Sequence, residues 1–361
     1  MNIVRIQGEK EKSEGIYYEV DFNQKPIGFG GMGTVMRGVR VESRGERINV
    51  AIKFLFDDLP QNAVDRARRE ASIQLLNDNL VRMYGFVETD VDHVKRLHVV
   101  SELLDGIMLH DFLQGTIVNV DGEEVPFFTK LYDEYCRDKE KFAVFIIKNI
   151  LSGIMALHDA GFIHRDIDPS NIMLTTDGKI KLIDFGVARK ISANSAGPER
   201  QLTTEGNFIG KANYAAPELA VGDIQHQNAT TDIYAIGILL YQIIIGKLPF
   251  EGPIVEVLQQ QIGEPLPVQN IKNPGIKHIV SKATAKKQRL RYQSAAEFRV
   301  ALEQWENAPG GFMGDASAHM GYAGTSTSFL DKVADMSIGL LAAFVSLLGV
   351  GLGVLSYYLL S

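Results

Sequence analysis

Two short motifs near the middle of the chain constrain its fold and chemistry more than any other feature. The first spans 164–171, HRDIDPSN, and contains Asp166 and Asn171; the second is DFG at 184–186 and begins with Asp184. Two carboxylates and an amide oxygen are hard oxygen groups, the kind that a nucleotide-bound Mg²⁺ accepts. Asp166 can also accept a proton from a hydroxyl group. The three residues together therefore indicate phosphoryl-transfer chemistry.

The surroundings of the two motifs argue against a chance occurrence. Either tripeptide alone, HRD at 164–166 or DFG at 184–186, would be weak evidence for this chemistry in a chain of 361 residues. Each motif, however, sits beside a short β-like run, 172–174 or 180–183, and both follow an apolar stretch with helical spacing. The apolar positions of that stretch are Phe145, Ile146, Ile150, Ile154 and Leu157.

In these residues the chain resembles the protein kinases, and most closely the bacterial Ser/Thr-type group. The resemblance implies an α+β fold with two lobes, an antiparallel β N-lobe and a helical C-lobe. We expect the kinase domain over 1–306, with the N-lobe at about 1–101 and the C-lobe at about 102–306. The resemblance also implies ATP and Mg²⁺ (or Mn²⁺) as cofactors, Asp166 as a catalytic residue, and Asn171 and Asp184 as metal ligands.

A glycine-rich segment near the amino terminus, 27–35 (IGFGGMGTV), reads as strand, tight turn, strand. Glycine lets the backbone approach phosphate oxygens without a Cβ in the way. Alone this is a weak signal, because such hairpins often serve only as turns. The resemblance assigns nucleotide binding to Ile27, Gly28, Gly30, Gly31, Gly33 and Val35.

The next β-type run, VAIK at 50–53, ends in Lys53, which the resemblance assigns to the α- and β-phosphates, with Ala51 in the nucleotide pocket. An ordinary surface lysine is the alternative. Glu70 lies in a segment of helical composition and is the natural ionic partner of Lys53. Arg68 and Arg69 could instead pair with Glu70.

The segment 97–106, LHVVSELLDG, resembles the strand and hinge that join the two lobes. Main-chain groups of Glu102 and Leu104 are then placed to meet adenine. Ser101 falls at the back of the adenine pocket, where its small side chain leaves space.

The carboxy-terminal half completes the resemblance. The segment 209–218, IGKANYAAPE, resembles the end of a kinase activation segment, and DIYAIG at 232–237 resembles the helix that braces the catalytic loop. We expect Glu218 to be buried against Arg291, because an uncompensated buried charge would cost several kcal/mol.

Two residues depart from the family pattern. Asp168 stands where the family usually has a lysine, and Lys211 stands where Ser/Thr kinases usually have a threonine. The two positions face each other in the family fold. We therefore predict that Lys211 neutralises Asp168 and supplies the missing ammonium from the opposite wall. The alternatives are a catalytically weak pseudokinase that acts as an ATP-binding scaffold, and a kinase acting on a small metabolite.

Charge and cysteine content narrow the setting. A formal net charge of −7 gives no support to nucleic-acid binding. The single cysteine, Cys136, excludes an intrachain disulfide framework and fits a reducing compartment. Residues 1–15 are charged and lack an apolar core, so no secretory signal is expected.

A membrane signal lies at the carboxy-terminal end. Residues 337–360 contain no charged residue and are long enough to cross a hydrocarbon layer of about 30 Å. A buried soluble helix is the alternative. We expect a single-pass transmembrane helix at 337–360 in contact with lipid, a flexible juxtamembrane linker at 307–336, and a cytoplasmic kinase domain, where ATP is found. A homodimer could form through the kinase domain or through the Gly349 and Gly353 spacing.

The polar segment between Asp184 and Glu218 contains Thr203 and Thr204. Autophosphorylation there would add nearly two negative charges, and Arg165 is the family's usual receiver. Protein substrates are the other expected partners.

The stretch 114–141 is longer than the family connection between the first two C-lobe helices. We expect a surface insertion, and the sequence assigns it no role.

Overall fold

The computed structural model describes residues 3–91, 94–119, 121–185, 188–190 and 211–308. The first lobe contains β1 (Ile3–Ile6), α1 (Glu9–Glu14), β2 (Tyr17–Asp21), β3 (Gly28–Gly30), β4 (Gly33–Val41), β5 (Arg47–Leu55), α2 (Gln61–Ser72), β6 (Met83–Val91) and β7 (Val94–Glu102). The second contains β8 (Gly106–Met108), α3 (Leu109–Leu113), α4 (Pro126–Arg137), α5 (Lys139–Asp159), β9 (Phe162–Ile163), β10 (Ile172–Thr175), β11 (Ile180–Leu182), β12 (Arg189–Lys190), α6 (Pro217–Ala220), α7 (Ala229–Ile245), α8 (Ile254–Gly263), α9 (Pro274–Ala283) and α10 (Ala295–Asn307).

The N-lobe is built on one antiparallel sheet in the order β1-β2-β4-β5-β7-β6, with β3 paired to β4. Its two faces follow from residue alternation along each strand. In β5, Val50 and Ile52 are fully buried in a small apolar cluster on one face. Ala51 and Lys53 consequently point to the opposite face. Helix α2 packs against β6 and β7, and it buries Ala67 and Ala71.

The C-lobe is organised around α5 and α7, which pack against each other. Asn228 and Thr231 form a capping box that starts α7, and Gly246 ends it in the left-handed conformation with φ 82°. A Cβ at Gly237 of α7 would lie 2.6 Å from Thr284 Cγ2, so the glycine allows α9 to approach closely. Among the described residues, α5 is long and apolar enough to cross a membrane, but 56% of its apolar window is buried inside the protein. It is the core helix of this lobe.

The two-lobed architecture expected from the sequence is confirmed. The strands and turn expected at 27–35, the strands at 172–174 and 180–183, and the helix around Glu70 are present. The stretch 114–141 differs from the expected surface insertion, because its helix α4 buries Phe128, Leu131 and Tyr135. The linker was predicted to begin at Asn307, which the structure instead places at the end of α10. The rest of that linker beyond Ala308, the predicted transmembrane span, Gly186 and the Thr203–Thr204 pair lie outside the described residues.

Candidate active site

Asp232, a fully buried residue of α7, holds the loop that carries Asp166. Its carboxylate accepts hydrogen bonds of 2.8 Å from the backbone amides of both His164 and Arg165. His158 Nε2 lies 2.8 Å from the same carboxylate. Burial alone would raise the pKa of Asp232, but these hydrogen bonds hold it below its ordinary value. Asp232 thus stabilises Arg165 in the left-handed conformation at φ 69°, which non-glycine residues rarely adopt.

Asn171 lies directly beside Asp166. Its Nδ2 donates to the Asp166 carbonyl at 2.8 Å and to Asp166 Oδ2 at 3.1 Å. Asp166 Oδ1 is buried and accepts no hydrogen bond from the described residues. Burial raises the pKa of Asp166 to about 6, and Asp168 and Asp184 add to the shift. A buried carboxylate oxygen with free acceptor capacity and a pKa near neutrality suits proton acceptance.

Asp184 follows β11 and lies close enough to Asp166 to contribute to the rise in its pKa. The amide of Ile183 donates to the Asn171 carbonyl at 2.9 Å, which ties the two segments together. Phe185 is buried, with its ring edge-on to His164 at 5.8 Å. In the part of the chain that the structure describes, no three His, Cys, Asp or Glu side chains form a metal cage. Mg²⁺ needs no such cage when phosphates and waters complete its shell, so Asn171 and Asp184 fit that role.

Lys53 and Glu70 meet across the upper side of the cleft. Lys53 Nζ lies 3.8 Å from Glu70 Oε2. Arg68, the competing partner, instead pairs with Glu88 at 2.7 Å. Burial raises the pKa of Glu70 to about 7, opposed by Lys53 and reinforced by Asp184. The predicted Lys53–Glu70 pair is present, and it is a long one.

Part of the backbone of the glycine-rich hairpin is not covered by other described residues. The amide of Ile27 donates to the Val35 carbonyl at 2.9 Å, which closes the hairpin. A Cβ at Gly33 would clash with the carbonyl of Phe54, so packing explains that glycine. Packing does not explain Gly31, because a Cβ added there would meet no described atom within 4 Å. The space beside Gly31 is the kind that a phosphate group can fill.

The predicted adenine contacts also converge on one region. Val35 lies opposite Lys53, and Ala51 opposite Ser101, in the strand register. Glu102 and Leu104 are half-buried where β7 leaves the sheet. The amide of Glu102 donates to the Arg82 carbonyl at 2.8 Å, so it is not available to adenine. The Glu102 carbonyl accepts a 3.4 Å hydrogen bond from Ser101 Oγ and can accept a second one.

Lys181 is a buried residue that sequence reasoning missed. Its Nζ donates to Glu102 Oε1 at 2.6 Å and to the Leu80 carbonyl at 3.2 Å. A lysine three positions before Asp184 in an apolar strand was the available signal. The contact links the hinge to the strand that leads to Asp184.

The two departures from the family pattern touch each other. Lys211 Nζ lies 2.6 Å from Asp168 Oδ1, and it also donates to the hydroxyl of Ser170. The Asp168 side chain is 1% exposed, whereas that of Lys211 is 48% exposed. Asp168 Oδ1 additionally accepts from the Ser170 amide at 2.7 Å. The predicted contact between Lys211 and Asp168 is therefore confirmed.

A small, open cavity adjoins Asp166 and Lys211. Its walls come from the segment after Lys211 and from α6 and α7, and they are mostly apolar. The other lining residues are Arg165, Ile167, Tyr214, Ala215, Ala216, Leu219, Thr231 and Ala235. The cavity places apolar surface next to Asp166.

Buried hydrogen bonds hold the segment that lines this cavity. Gln261 of α8 donates to the Asn213 carbonyl at 2.6 Å and accepts from the Tyr234 hydroxyl at 2.7 Å. Lys286 Nζ in turn lies 2.8 Å from the Tyr234 oxygen, and burial lowers its pKa to about 7. No sequence pattern pointed to this network, because it joins side chains from distant parts of the chain.

Glu218 and Arg291 form the expected buried pair. Arg291 donates through both terminal nitrogens to the two Glu218 oxygens, at 2.8 and 3.0 Å. Thr231 donates to the same carboxylate at 2.8 Å. Burial alone would raise the pKa of Glu218, but Arg291 holds it below its ordinary value. This pair fixes the carboxyl end of the cavity wall.

Comparisons with known proteins agree with this geometry. Residues 22–298 match the family model described as protein kinase domain. The serine/threonine-protein kinase PknB of Mycobacterium tuberculosis is 31% identical over 293 residues, which cover 78% of this chain and 42% of that protein. PknB of Mycobacterium leprae is 32% identical over 288 residues, covering 76% and 41%. A probable serine/threonine-protein kinase PknB of Corynebacterium glutamicum is 32% identical over 298 residues, covering 79% and 41%.

The matched region thus spans about two fifths of the length of these relatives. The family match covers most of this chain and includes all the site residues described above. On the sequence match and the two-lobed architecture together, the chain belongs to the protein kinase family, and the relatives that it matches are bacterial serine/threonine kinases.

Proposed function

We propose that this protein transfers the γ-phosphoryl group of ATP to serine or threonine hydroxyls of protein substrates. The observation that carries the proposal is Asp166 Oδ1, a buried carboxylate oxygen without a hydrogen-bond donor among the described residues. The other carboxylate oxygen of Asp166 accepts from Asn171 Nδ2, Asp184 is close enough to raise the pKa of Asp166, and the residue lines the open cavity. A hydroxyl group that enters from the cavity could donate its proton to this oxygen.

Each remaining site residue has a role in this proposal. Asn171 and Asp184 hold Mg²⁺ (or Mn²⁺), which neutralises charge on the phosphates when it is bound. Lys53 contacts the α- and β-phosphates, and Glu70 positions Lys53. The glycine-rich hairpin covers the triphosphate with backbone amides. The residues proposed to enclose the nucleotide are Ile27, Gly28, Gly30, Gly31, Gly33, Val35, Ala51, Glu102 and Leu104.

Lys211 takes the place of the usual catalytic-loop lysine. Asp168 alone would repel the triphosphate, because its carboxylate is negative and buried. The 2.6 Å contact with Lys211 neutralises that charge and leaves an ammonium group at the edge of the cavity. This contact favours an active enzyme over an ATP-binding scaffold.

We extend the proposal to the arrangement of the whole chain. The kinase domain occupies 1–306, a linker 307–336, and a single membrane-spanning helix 337–360, with the kinase domain in the cytoplasm. The support is the absence of charge from 337–360 in the sequence. Autophosphorylation at Thr203 or Thr204 would regulate the site. Association of two chains through the kinase domain or Gly349 and Gly353 would bring the two activation segments together.

Phosphate incorporation tests the chemistry. Purified protein is given ATP labelled in the γ-phosphate, Mg²⁺ and a generic protein substrate, and Asp166→Asn is compared with the unmodified chain. We expect label on serine or threonine with the unmodified chain, and turnover lower by about two to four orders of magnitude in the variant. Thermal shift should show equal nucleotide binding by both.

The alternatives give different results. Nucleotide binding without label in any product would identify a scaffold. Label only in a small hydroxylated metabolite would identify a small-molecule kinase. Comparable labelling by Asp166→Asn would refute the assigned role of Asp166.

A further inference from the structure

The segment between α3 and α5 has no part in the chemistry proposed above, yet it is firmly attached to the C-lobe. Helix α4 within it buries Phe128, Leu131 and Tyr135. The Tyr135 ring lies 6.3 Å from that of Phe112 in α3 and 5.0 Å from that of Phe142 in α5. Aromatic contacts of this kind hold α4 on the adjacent helices.

A tight hairpin precedes α4 and presents Asp121. Val118 pairs with Glu124 across this hairpin. Asn119 Oδ1 accepts hydrogen bonds from the amides of Asp121 at 3.1 Å and Glu123 at 2.9 Å. Gly122 adopts φ 81°, which favours glycine. Hydrogen bonds between residues of the hairpin itself therefore help to position Asp121.

The side chain of Asp121, a C-lobe residue, contacts the N-lobe. Both of its carboxylate oxygens contact Arg37 Nη2, at 3.0 and 2.8 Å. Arg37 lies on β4, opposite Ala51 and two residues beyond Val35. Residues two apart on a strand share a face, so Arg37 lies on the nucleotide face of the sheet. The same strand continues back into the glycine-rich hairpin.

We propose that Asp121 is a positioning residue that holds the glycine-rich hairpin over the bound nucleotide through its ion pair with Arg37. The inference rests on the proposed function, since it takes the cleft under β3 and β4 as the nucleotide site. The pair joins β4, next to that cleft, to a hairpin that leads into the buried helix α4 of the C-lobe. Movement of β4 away from the C-lobe during nucleotide release would break the pair, so the pair slows release.

The size of the effect follows from exposure. The side chains of Arg37 and Asp121 are 35% and 53% exposed, so solvent and salt screen their attraction. Exposed pairs of this kind change an equilibrium by about two- to five-fold. A larger change would require burial that this pair does not have.

Charge reversal tests the pair. Release of a fluorescent ADP analogue, bound with Mg²⁺, is followed by stopped flow for Arg37→Asp, Asp121→Arg and the double variant that swaps the charges. We expect each single variant to release the analogue about two- to five-fold faster, and the double variant to return to the wild-type rate. In about 1 M salt, where the Debye length is about 3 Å, the differences should disappear.

Matched controls are Arg44→Asp and Glu123→Arg, which make the same charge changes at exposed positions on the neighbouring strand turn and the same hairpin. Both should release the analogue at the wild-type rate. Single variants that match their controls, or a double variant as fast as the product of the two singles, would overturn the proposal. Release is measured without turnover, so a wild-type protein that binds nucleotide but transfers no phosphate would count against the proposed function and not against this pair.

Discussion

The two walls of the cleft are held by different kinds of contact. On the C-lobe wall, Asp232 accepts two backbone hydrogen bonds of 2.8 Å while fully buried, and Glu218 meets Arg291 at 2.8 and 3.0 Å. On the N-lobe wall, Lys53 and Glu70 are 3.8 Å apart. The glycine-rich hairpin there is open, and its Phe29 is 78% exposed.

The difference separates fixed parts of the site from adjustable ones. Short hydrogen bonds to buried charged groups leave few alternative arrangements, and the loss of one partner leaves the other buried and unpaired. A long ion pair and an uncovered hairpin can shift with little cost. We therefore expect C-lobe substitutions to cost chemistry or stability, and N-lobe substitutions to change nucleotide handling in a protein that stays folded.

The largest effect is expected at Asp184, where the two walls meet. Asp184→Ala removes a proposed metal ligand, so turnover should fall below detection while the protein remains folded. The measurement is γ-phosphate transfer, with nucleotide binding followed with and without Mg²⁺. The Mg²⁺-dependent part of binding should be lost. Substantial transfer by this variant would contradict the assignment.

Arg291 tests whether the C-lobe wall fails by losing stability. Arg291→Met leaves Glu218 as an unpaired buried charge, so the free energy of unfolding should fall by about 3–5 kcal/mol. Denaturant unfolding measures it, and Arg289→Met, at an exposed neighbour, is the control. A loss of the same size in both variants would show that the buried pair is not the cause.

Glu70 tests the opposite expectation for the N-lobe wall. Burial raises the pKa of Glu70 to about 7, so its charge is costly and a neutral glutamine should not destabilise the fold. Glu70→Gln should lower kcat/KM for ATP about ten-fold, as for loss of a contact worth about 1.5 kcal/mol. Steady-state kinetics measure kcat/KM, and a melting curve measures the stability of the fold. Glu88→Gln, which removes the partner of Arg68, is the control; a melting temperature lowered only in Glu70→Gln would show that the N-lobe pair is structural.

The smallest effect is expected at His98, an N-lobe residue that should make the free energy of unfolding depend on pH. Burial lowers its pKa from 6.5 to about 4. Between these values the unfolded chain binds a proton that the folded chain does not, so stability falls as the pH drops from about 6.5 towards 4. The unfolding free energy should decrease by about 1 kcal/mol between pH 7.5 and pH 5.5 from this group. His98→Leu should remove that part of the slope, and an unchanged slope would rule His98 out.

The sequence predicted the contacts that recognisable motifs bring together. Glu218 with Arg291, and Asp168 with Lys211, could be named because their positions in the family fold are fixed by nearby motifs. The position of Lys181 in an apolar strand was a signal, but its partner Glu102 could not be named, and neither could the pair of Arg37 with Asp121. Each of these pairs depends on how distant segments pack. Helix α4 did leave a signal: Phe128, Leu131 and Tyr135 recur at the spacing of one buried helix face.

The most direct test of the central claim is a double-mutant cycle at Asp168 and Lys211. Lys211→Thr should be severely impaired in phosphoryl transfer, because it leaves the buried Asp168 carboxylate unpaired. Asp168→Lys should also do poorly, since two ammonium groups then share one site. Melting curves of each variant establish that it is folded.

The double variant, Asp168→Lys with Lys211→Thr, carries the usual family residues at both positions. We expect it to recover much of the activity lost in either single variant, a non-additivity typical of residues in direct contact. Strictly additive losses in kcat/KM, or an unimpaired Lys211→Thr, would contradict the account of a compensated active site.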